Sequence, residues 1–68
     1  MLHPYELRRM LEREAKAAFE QARAENAHVD PSALAGSVLM RHQEKPEVQH
    51  RLAFLWLHLE SYLQSLIE

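Results

Sequence analysis

The segment Leu52-Ala53-Phe54-Leu55-Trp56-Leu57 is a run of six consecutive apolar residues. Successive helical residues are 100° apart, so six apolar neighbours surround the whole helix, whereas a helix on a small globule needs an apolar stripe only somewhat wider than 100°. The run lies inside a longer helical pattern from Pro46 to Ile67. This helix therefore carries two apolar faces, and we expect a chain of 68 residues to cover only one of them.

The first of these faces has the spacing of a helix packed in a core. Its apolar residues recur three and four positions apart, which is typical of a side that faces another helix. They are Val48, Leu52, Leu55, Leu59, Tyr62, Leu63 and Leu66, with Trp56 on the flank. We predict that this stripe holds the fold together.

The second face is the candidate functional site. It consists of Ala53, Phe54 and Leu57, with His50, His58 and Ser61 around it. Leaving Phe54 and Leu57 in water forgoes about 1.5–3 kcal/mol each, which is large beside a domain stability of about 5 kcal/mol. Three coverings stay open: the short middle helix, a second copy or another helical protein, and a lipid surface. We predict that these six residues form a partner interface.

The N-terminal half predicts a long first helix from Pro4 to about His28. Proline suits the first helical position, and apolar residues then gather on one side. These are Leu7, Leu11, Ala15, Ala18, Phe19 and Ala22. The small alanines favour a closely packed helical neighbour. The other side alternates basic and acidic residues, so it is either a solvated face of weak ion pairs or a shallow basic ridge for RNA or an acidic protein.

The middle of the chain predicts a short second helix from Pro31 to about Gln43. Asp30 can accept hydrogen bonds from the free N–H groups of its first turn. Gly36 lies inside this predicted helix, where a glycine indicates a close helix crossing, indicates a bend, or has no structural role. Pro46 either ends this helix or kinks one long helix running from Pro31 to Ile67. The expected fold is all-α: a small three-helix bundle or helical hairpin, with long first and last helices packed antiparallel and a short middle helix.

The amino-acid composition limits the classes of protein to which the chain can belong. The chain is 47% hydrophobic and 26% charged, with one Gly and no Cys. It is too apolar for a disordered chain and has no disulfides or thiolate metal sites. The net charge of -2 argues against general polyanion binding. We expect one domain over residues 1–68 and a cytoplasmic location, because the sequence lacks signal-peptide features and an apolar run long enough to span a bilayer.

The residues give little support for catalysis or metal binding. Five histidines are present, but none are spaced i and i+4 as a chelating pair on one helix would be. His50 and His58 are two turns apart, about 12 Å along a helix. Gly-rich phosphate loops are absent, and the serines lie in helical contexts without an adjacent base. We predict no enzymatic activity, no cofactor and no metal site.

The sequence therefore favours a small helical protein–protein interaction module, which associates with itself, most simply as a dimer, or with another helical protein through its C-terminal helix. In size and helical pattern it resembles small co-chaperones and assembly factors, for instance those of bacterial secretion systems, and regulators are a further possibility of the same type. The alternative is a helix-turn-helix-like nucleic-acid-binding protein whose recognition helix begins at Pro46. That helix would open on Glu47, Gln49, His50 and Arg51, with a single cation for phosphate contacts.

Overall fold

A computed structural model of the chain describes residues 3–68. They form four helices: α1 (Pro4–Ala24), α2 (Pro31–Met40), α3 (Pro46–His50) and α4 (Leu52–Ile67). These helices hold 79% of the described residues, and the described part contains no strand. The predicted all-α fold, with long first and last helices packed together and a short helix between them, is confirmed.

The core lies where α1, α2 and α4 meet. The predicted stripes supply it, because most of the periodic residues of each helix are buried, although Ala18 and Ala22 of the predicted α1 stripe are only half-buried. The buried apolar residues are Leu7, Leu11, Ala15, Phe19, Ala35, Val38, Leu39, Val48, Leu55, Leu59 and Leu63. Leu52, Trp56, Tyr62 and Leu66 pack around this core and are half-buried.

The first connection ends α1 at Ala24, earlier than the predicted His28. Asn26 adopts a left-handed backbone with φ 57°, which asparagine tolerates better than most residues. The Asn26 N–H donates to the carbonyl of Arg23 over 3.0 Å, and the Ala27 N–H donates to that of Ala22 over 2.9 Å. These two bonds satisfy carbonyls that the end of a helix otherwise leaves free, so the asparagine stops α1.

The second helix begins where the sequence predicts. The Asp30 carboxylate accepts hydrogen bonds from the N–H groups of Ser32 at 3.1 Å and Ala33 at 3.5 Å. From this end α2 runs back along α1. Leu34 borders the same surface hollow as Ala22 near the end of α1.

The first and last helices run in the same direction over their contact rather than antiparallel. His58 of α4 contacts Glu12 of α1, and further along both helices Leu66 borders the same hollow as Phe19. An antiparallel pair in contact at Glu12 and His58 would place Leu66 near the start of α1. The reason for the difference is that α2 is a separate reversed helix, so the chain turns back twice before α4.

The second connection settles the role of Pro46. Residues 41–44 form turns, Lys45 is extended with φ -81° and ψ 122°, and Pro46 begins α3. An extended residue before proline is the expected geometry. The same turn holds the pKa of the Glu44 carboxyl below its ordinary value, first through a hydrogen bond from the backbone at Glu44 and then through the charge of Lys45. One kinked helix from Pro31 to Ile67 is therefore not formed.

The predicted helix from Pro46 to Ile67 is divided at Arg51. This residue has φ -125° and ψ 26°, outside helical geometry, and it separates α3 from α4. No proline or glycine marks the break, and nothing in the local sequence explains it. Val48 of α3 is nevertheless fully buried, so the short helix still contributes to the core.

Gly36 marks a close helix crossing. A methyl group built at this position would lie 2.8 Å from Cη2 of the Trp56 indole and closer still to Cζ2. The indole cannot easily withdraw, because its Nε1–H donates to the Ser32 carbonyl over 2.9 Å. Glycine is therefore needed here for space, and Trp56 fills the crossing between α2 and α4.

Candidate functional site

The structure brings five of the six predicted interface residues together on α4. They are Ala53, Phe54, Leu57, His58 and Ser61, called here the α4 face. His50 is exposed but lies in α3, on the other side of the Arg51 break. The α4 face therefore begins one residue into α4 and does not include the whole predicted set.

The apolar side chains of the α4 face are open to solvent. Phe54 is 51% exposed and Leu57 is 67% exposed, the highest value among the large hydrophobic residues of the described chain. By contrast, their neighbours Leu55 and Leu59 are only 2% and 0% exposed. The helix thus turns one apolar face inward and the other outward. The interpretation in which the middle helix covers Phe54 and Leu57 is wrong.

Phe54 and Leu57 remain exposed because of the place at which α2 crosses α4. The α2 helix meets α4 at Trp56, whose indole packs on Gly36. Phe54 and Leu57 lie two residues before and one residue after this contact, and helical geometry turns each of them well away from Trp56. The middle helix therefore covers the flank of α4 and leaves the α4 face free.

His58 ties the α4 face to the first helix. Its Nε2–H donates to the Glu12 carboxylate, with 2.7 Å between the two atoms. Its ring also stacks on Phe54, with centroids 6.4 Å apart and planes 20° apart. Glu12 lies in addition 3.5 Å from the Arg9 guanidinium. The exposed Phe54 ring therefore packs on His58, which is itself held by its hydrogen bond to Glu12. This contact restricts the motion of the Phe54 ring before any partner binds.

A second histidine–carboxylate pair joins α1 to the turn after α2. His42 Nε2 lies 3.0 Å from each oxygen of Glu14, and Arg41 lies 3.7 Å from the same carboxylate. The other ring nitrogen of His42 is buried and has no hydrogen-bond partner within the described chain. Because an ionised carboxylate only accepts hydrogen bonds, Nε2 carries the proton that His42 donates to Glu14. His42 fixes the fold and does not reach the α4 face.

The outer surface of α4 continues past the predicted site as a shallow open hollow of about 490 Å³. Six residues line it: Leu57, Glu60, Ser61, Gln64, Ser65 and Glu68. We call this the acidic hollow, because the only charged side chains in it are the two glutamates. Sequence reasoning missed it, although a signal was present: the last lysine or arginine of the chain is Arg51.

Among residues 3–68, no three side chains of His, Asp or Glu are grouped as a metal site would require. None of the helices in that range combines the length and the apolar character that crossing a bilayer needs.

Comparison of the chain with known protein families, with curated proteins and with solved structures finds no match.

Proposed function

We propose that this protein is a small helical interaction module that binds another helix through the α4 face. The helix belongs to a second copy of the chain or to a different protein. The observation that carries the proposal is the exposure of Phe54 and Leu57, which lie one turn apart on a helix whose opposite side is buried at Leu55, Leu59 and Leu63.

The energetics of the two side chains support a binding role. Fully burying a Phe or Leu is worth about 1.5–3 kcal/mol, and half or more of each side chain is exposed here, so covering the remainder is worth about 1–2 kcal/mol each. That is a sizeable gain for a domain whose own stability is about 5 kcal/mol. Isolated exposed apolar residues are common, whereas two large ones on neighbouring turns form a patch.

The size of the molecule indicates how much more a partner would cover. A specific interface buries about 800 Å² on each partner. The whole accessible surface of the described structure is 4635 Å², so such an interface takes about one sixth of it. Phe54 and Leu57 are therefore the anchors of the proposed interface, and the adjoining acidic hollow supplies further area.

The helix-turn-helix alternative gains no specific support. Its recognition helix would begin at Pro46, but α3 ends at His50 after five residues. A recognition helix places side chains from successive turns in the major groove, and α3 offers little more than one turn. Arg51 remains the one cation at this position.

A fluorescent probe on the α4 face tests the proposal. The chain has no cysteine, so Ser61→Cys creates a single attachment point for an environment-sensitive dye. The matched control is Ala17→Cys, which places the same dye on an exposed position of α1. Binding of a helix to the α4 face should shift the Ser61 emission to the blue and leave the Ala17 emission unchanged. A concentration-dependent shift identifies a second copy as the partner, and a shift only on adding a helical peptide identifies another chain. Equal behaviour of both dyes under every condition would contradict the proposal.

A further inference from the structure

We infer that the partner of the α4 face is an amphipathic helix from a different protein that carries lysine or arginine beside an apolar stripe. This inference rests on the proposed interaction function and adds the chemistry of the partner. It follows from the joining of the exposed apolar side chains to the acidic hollow.

The charge of the chain is unevenly distributed along its length. All eight lysines and arginines precede residue 52, whereas residues 52–68 hold Glu60 and Glu68 and no cation other than a histidine when protonated. Neither glutamate forms an ion pair with a lysine or arginine within the described part of the chain. The surface that continues the α4 face is therefore negative and unneutralised.

The direction of α4 adds to this negative potential. The free carbonyl groups at the C-terminal end of a helix carry a partial negative charge, which lysine or arginine in the last turn normally offsets. The last turn of α4 has no basic residue, and Glu68 stands at its C-cap. Two carboxylates and a helix C-terminus thus act together at the same end, and a partner's cations would neutralise both.

The positions of the exposed apolar residues and the glutamates along α4 indicate how long a matching helix would be and where its charges would lie. From Phe54 to Glu68 is fourteen residues, which is about 21 Å or four turns of helix. A partner helix along this surface would set apolar side chains on Phe54 and Leu57 and basic side chains beside Glu60 and Glu68. Its positive charge would therefore be concentrated toward one end.

A second copy fits this surface less well. A parallel pairing of α4 with α4 places glutamates against glutamates, which disfavours association, and an antiparallel pairing offers these glutamates a single cation, Arg51. The basic residues of a second copy lie mostly on α1, whose apolar stripe of Leu7, Leu11, Ala15 and Phe19 is buried in its own core. Near the start of α1, Tyr5 and the half-buried Met10 lie beside Arg9 and Arg13, but they form a short patch and not a stripe long enough to match the α4 face and the acidic hollow.

Two matched synthetic peptides test the inference. Both carry the same leucine stripe at helical spacing; one has lysines on its flanks and the other has glutamates at the same positions. Titrating unlabelled protein into each fluorescent peptide at low salt and following anisotropy should show binding of the lysine peptide. The glutamate peptide should bind at least about tenfold more weakly. Equal affinity of the two peptides, or no binding of the lysine peptide, would overturn the inference.

Charge-neutralising variants test whether the glutamates of the acidic hollow cause the preference for the lysine peptide. Glu60→Gln combined with Glu68→Gln should weaken binding of the lysine peptide by about fivefold and flatten its salt dependence. The control is Glu6→Gln combined with Glu20→Gln, which changes the net charge equally at two exposed positions of α1 and should leave the affinity within about twofold. An equal loss in both double variants would show a general charge effect and contradict the assigned site.

The same experiments separate this inference from the proposed function. If both peptides bind equally, and Phe54→Ala with Leu57→Ala abolishes binding, the interaction face stands and the charge preference fails. If the Ser61 dye reports a second copy on the α4 face, the interaction module stands and a basic foreign partner is overturned. If no peptide binds and the dye responds to neither peptide nor protein concentration, both fail.

Discussion

The imidazole of His58 donates to the carboxylate of Glu12 over 2.7 Å, and this bond joins the exposed side of α4 to the first helix. The same imidazole lies against the Phe54 ring. The residue that backs the proposed interface therefore also fastens two helices of the fold. A substitution at His58 should affect stability and binding together, whereas substitutions elsewhere on the α4 face should affect binding alone.

The first prediction concerns this bond. His58→Ala should lower the free energy of unfolding by about 0.5–2 kcal/mol, because it removes a partly exposed hydrogen bond to a charged group. Urea unfolding measures the change. His50→Ala is the control and should be neutral, since His50 is exposed. A double-mutant cycle with Glu12→Gln should show coupling between the two residues; strictly additive effects would contradict the bond.

A second prediction tests the helix crossing. Gly36→Ala should destabilise the protein by about 1–3 kcal/mol, because the added methyl group overlaps the Trp56 indole. On helix propensity alone the same change would stabilise by about 1 kcal/mol, so the sign of the effect decides which term is larger. Ser37→Ala, at an exposed position of the same helix, should be neutral or slightly stabilising. Thermal unfolding followed by tryptophan fluorescence gives the comparison.

A third prediction tests the end of α1. Asn26→Gly should raise the free energy of unfolding by up to about 1 kcal/mol, since glycine adopts a positive φ without steric cost. Asn26→Ala should lower it by about 1 kcal/mol, because a Cβ without the asparagine amide is disfavoured in that conformation. Calorimetric melting of both variants beside the wild type is the measurement. Loss of stability in the glycine variant would contradict the left-handed backbone at this position.

A fourth prediction concerns the start of α2. Asp30→Ala removes the acceptor of the Ser32 and Ala33 N–H groups and should cost about 1 kcal/mol, the usual value of an N-cap. Asp30→Asn keeps an acceptor oxygen and should recover most of that loss. Chemical unfolding of the two variants distinguishes a cap from a general charge effect, because an equal loss in both would indicate that charge matters and the hydrogen bonds do not.

Periodicity was enough to predict α1, α2 and most of the core of this protein, but not the division of the last helix into α3 and α4. The spacing of Leu55, Leu59 and Leu63 placed them in the core, and the six-residue apolar run left Phe54 and Leu57 without cover. Both results follow from the rotation of 100° per residue along a helix and from the small number of helices that could cover an apolar face. The α4 face is thus the part of the candidate site that sequence reasoning reached.

The features that sequence reasoning missed arise from contacts between distant residues or from backbone states. Glu12 and His58 are 46 positions apart, and no local pattern pairs them. The break at Arg51 has no glycine or proline to announce it, and the direction of α4 depends on α2 forming a separate reversed helix. Asn26 did carry a signal, because asparagine is the residue most often found in place of glycine at a helix end.

The most direct test of the central claim is the affinity of the leucine–lysine peptide for the wild type and for Phe54→Ala combined with Leu57→Ala. Half or more of each side chain is exposed, so the double variant should lose no more than about 1–2 kcal/mol of unfolding free energy while its affinity falls by more than about tenfold. Unchanged affinity in a folded double variant would show that the α4 face is not the binding surface. A fall in stability of more than about 4 kcal/mol would place both side chains in the core and contradict the account equally.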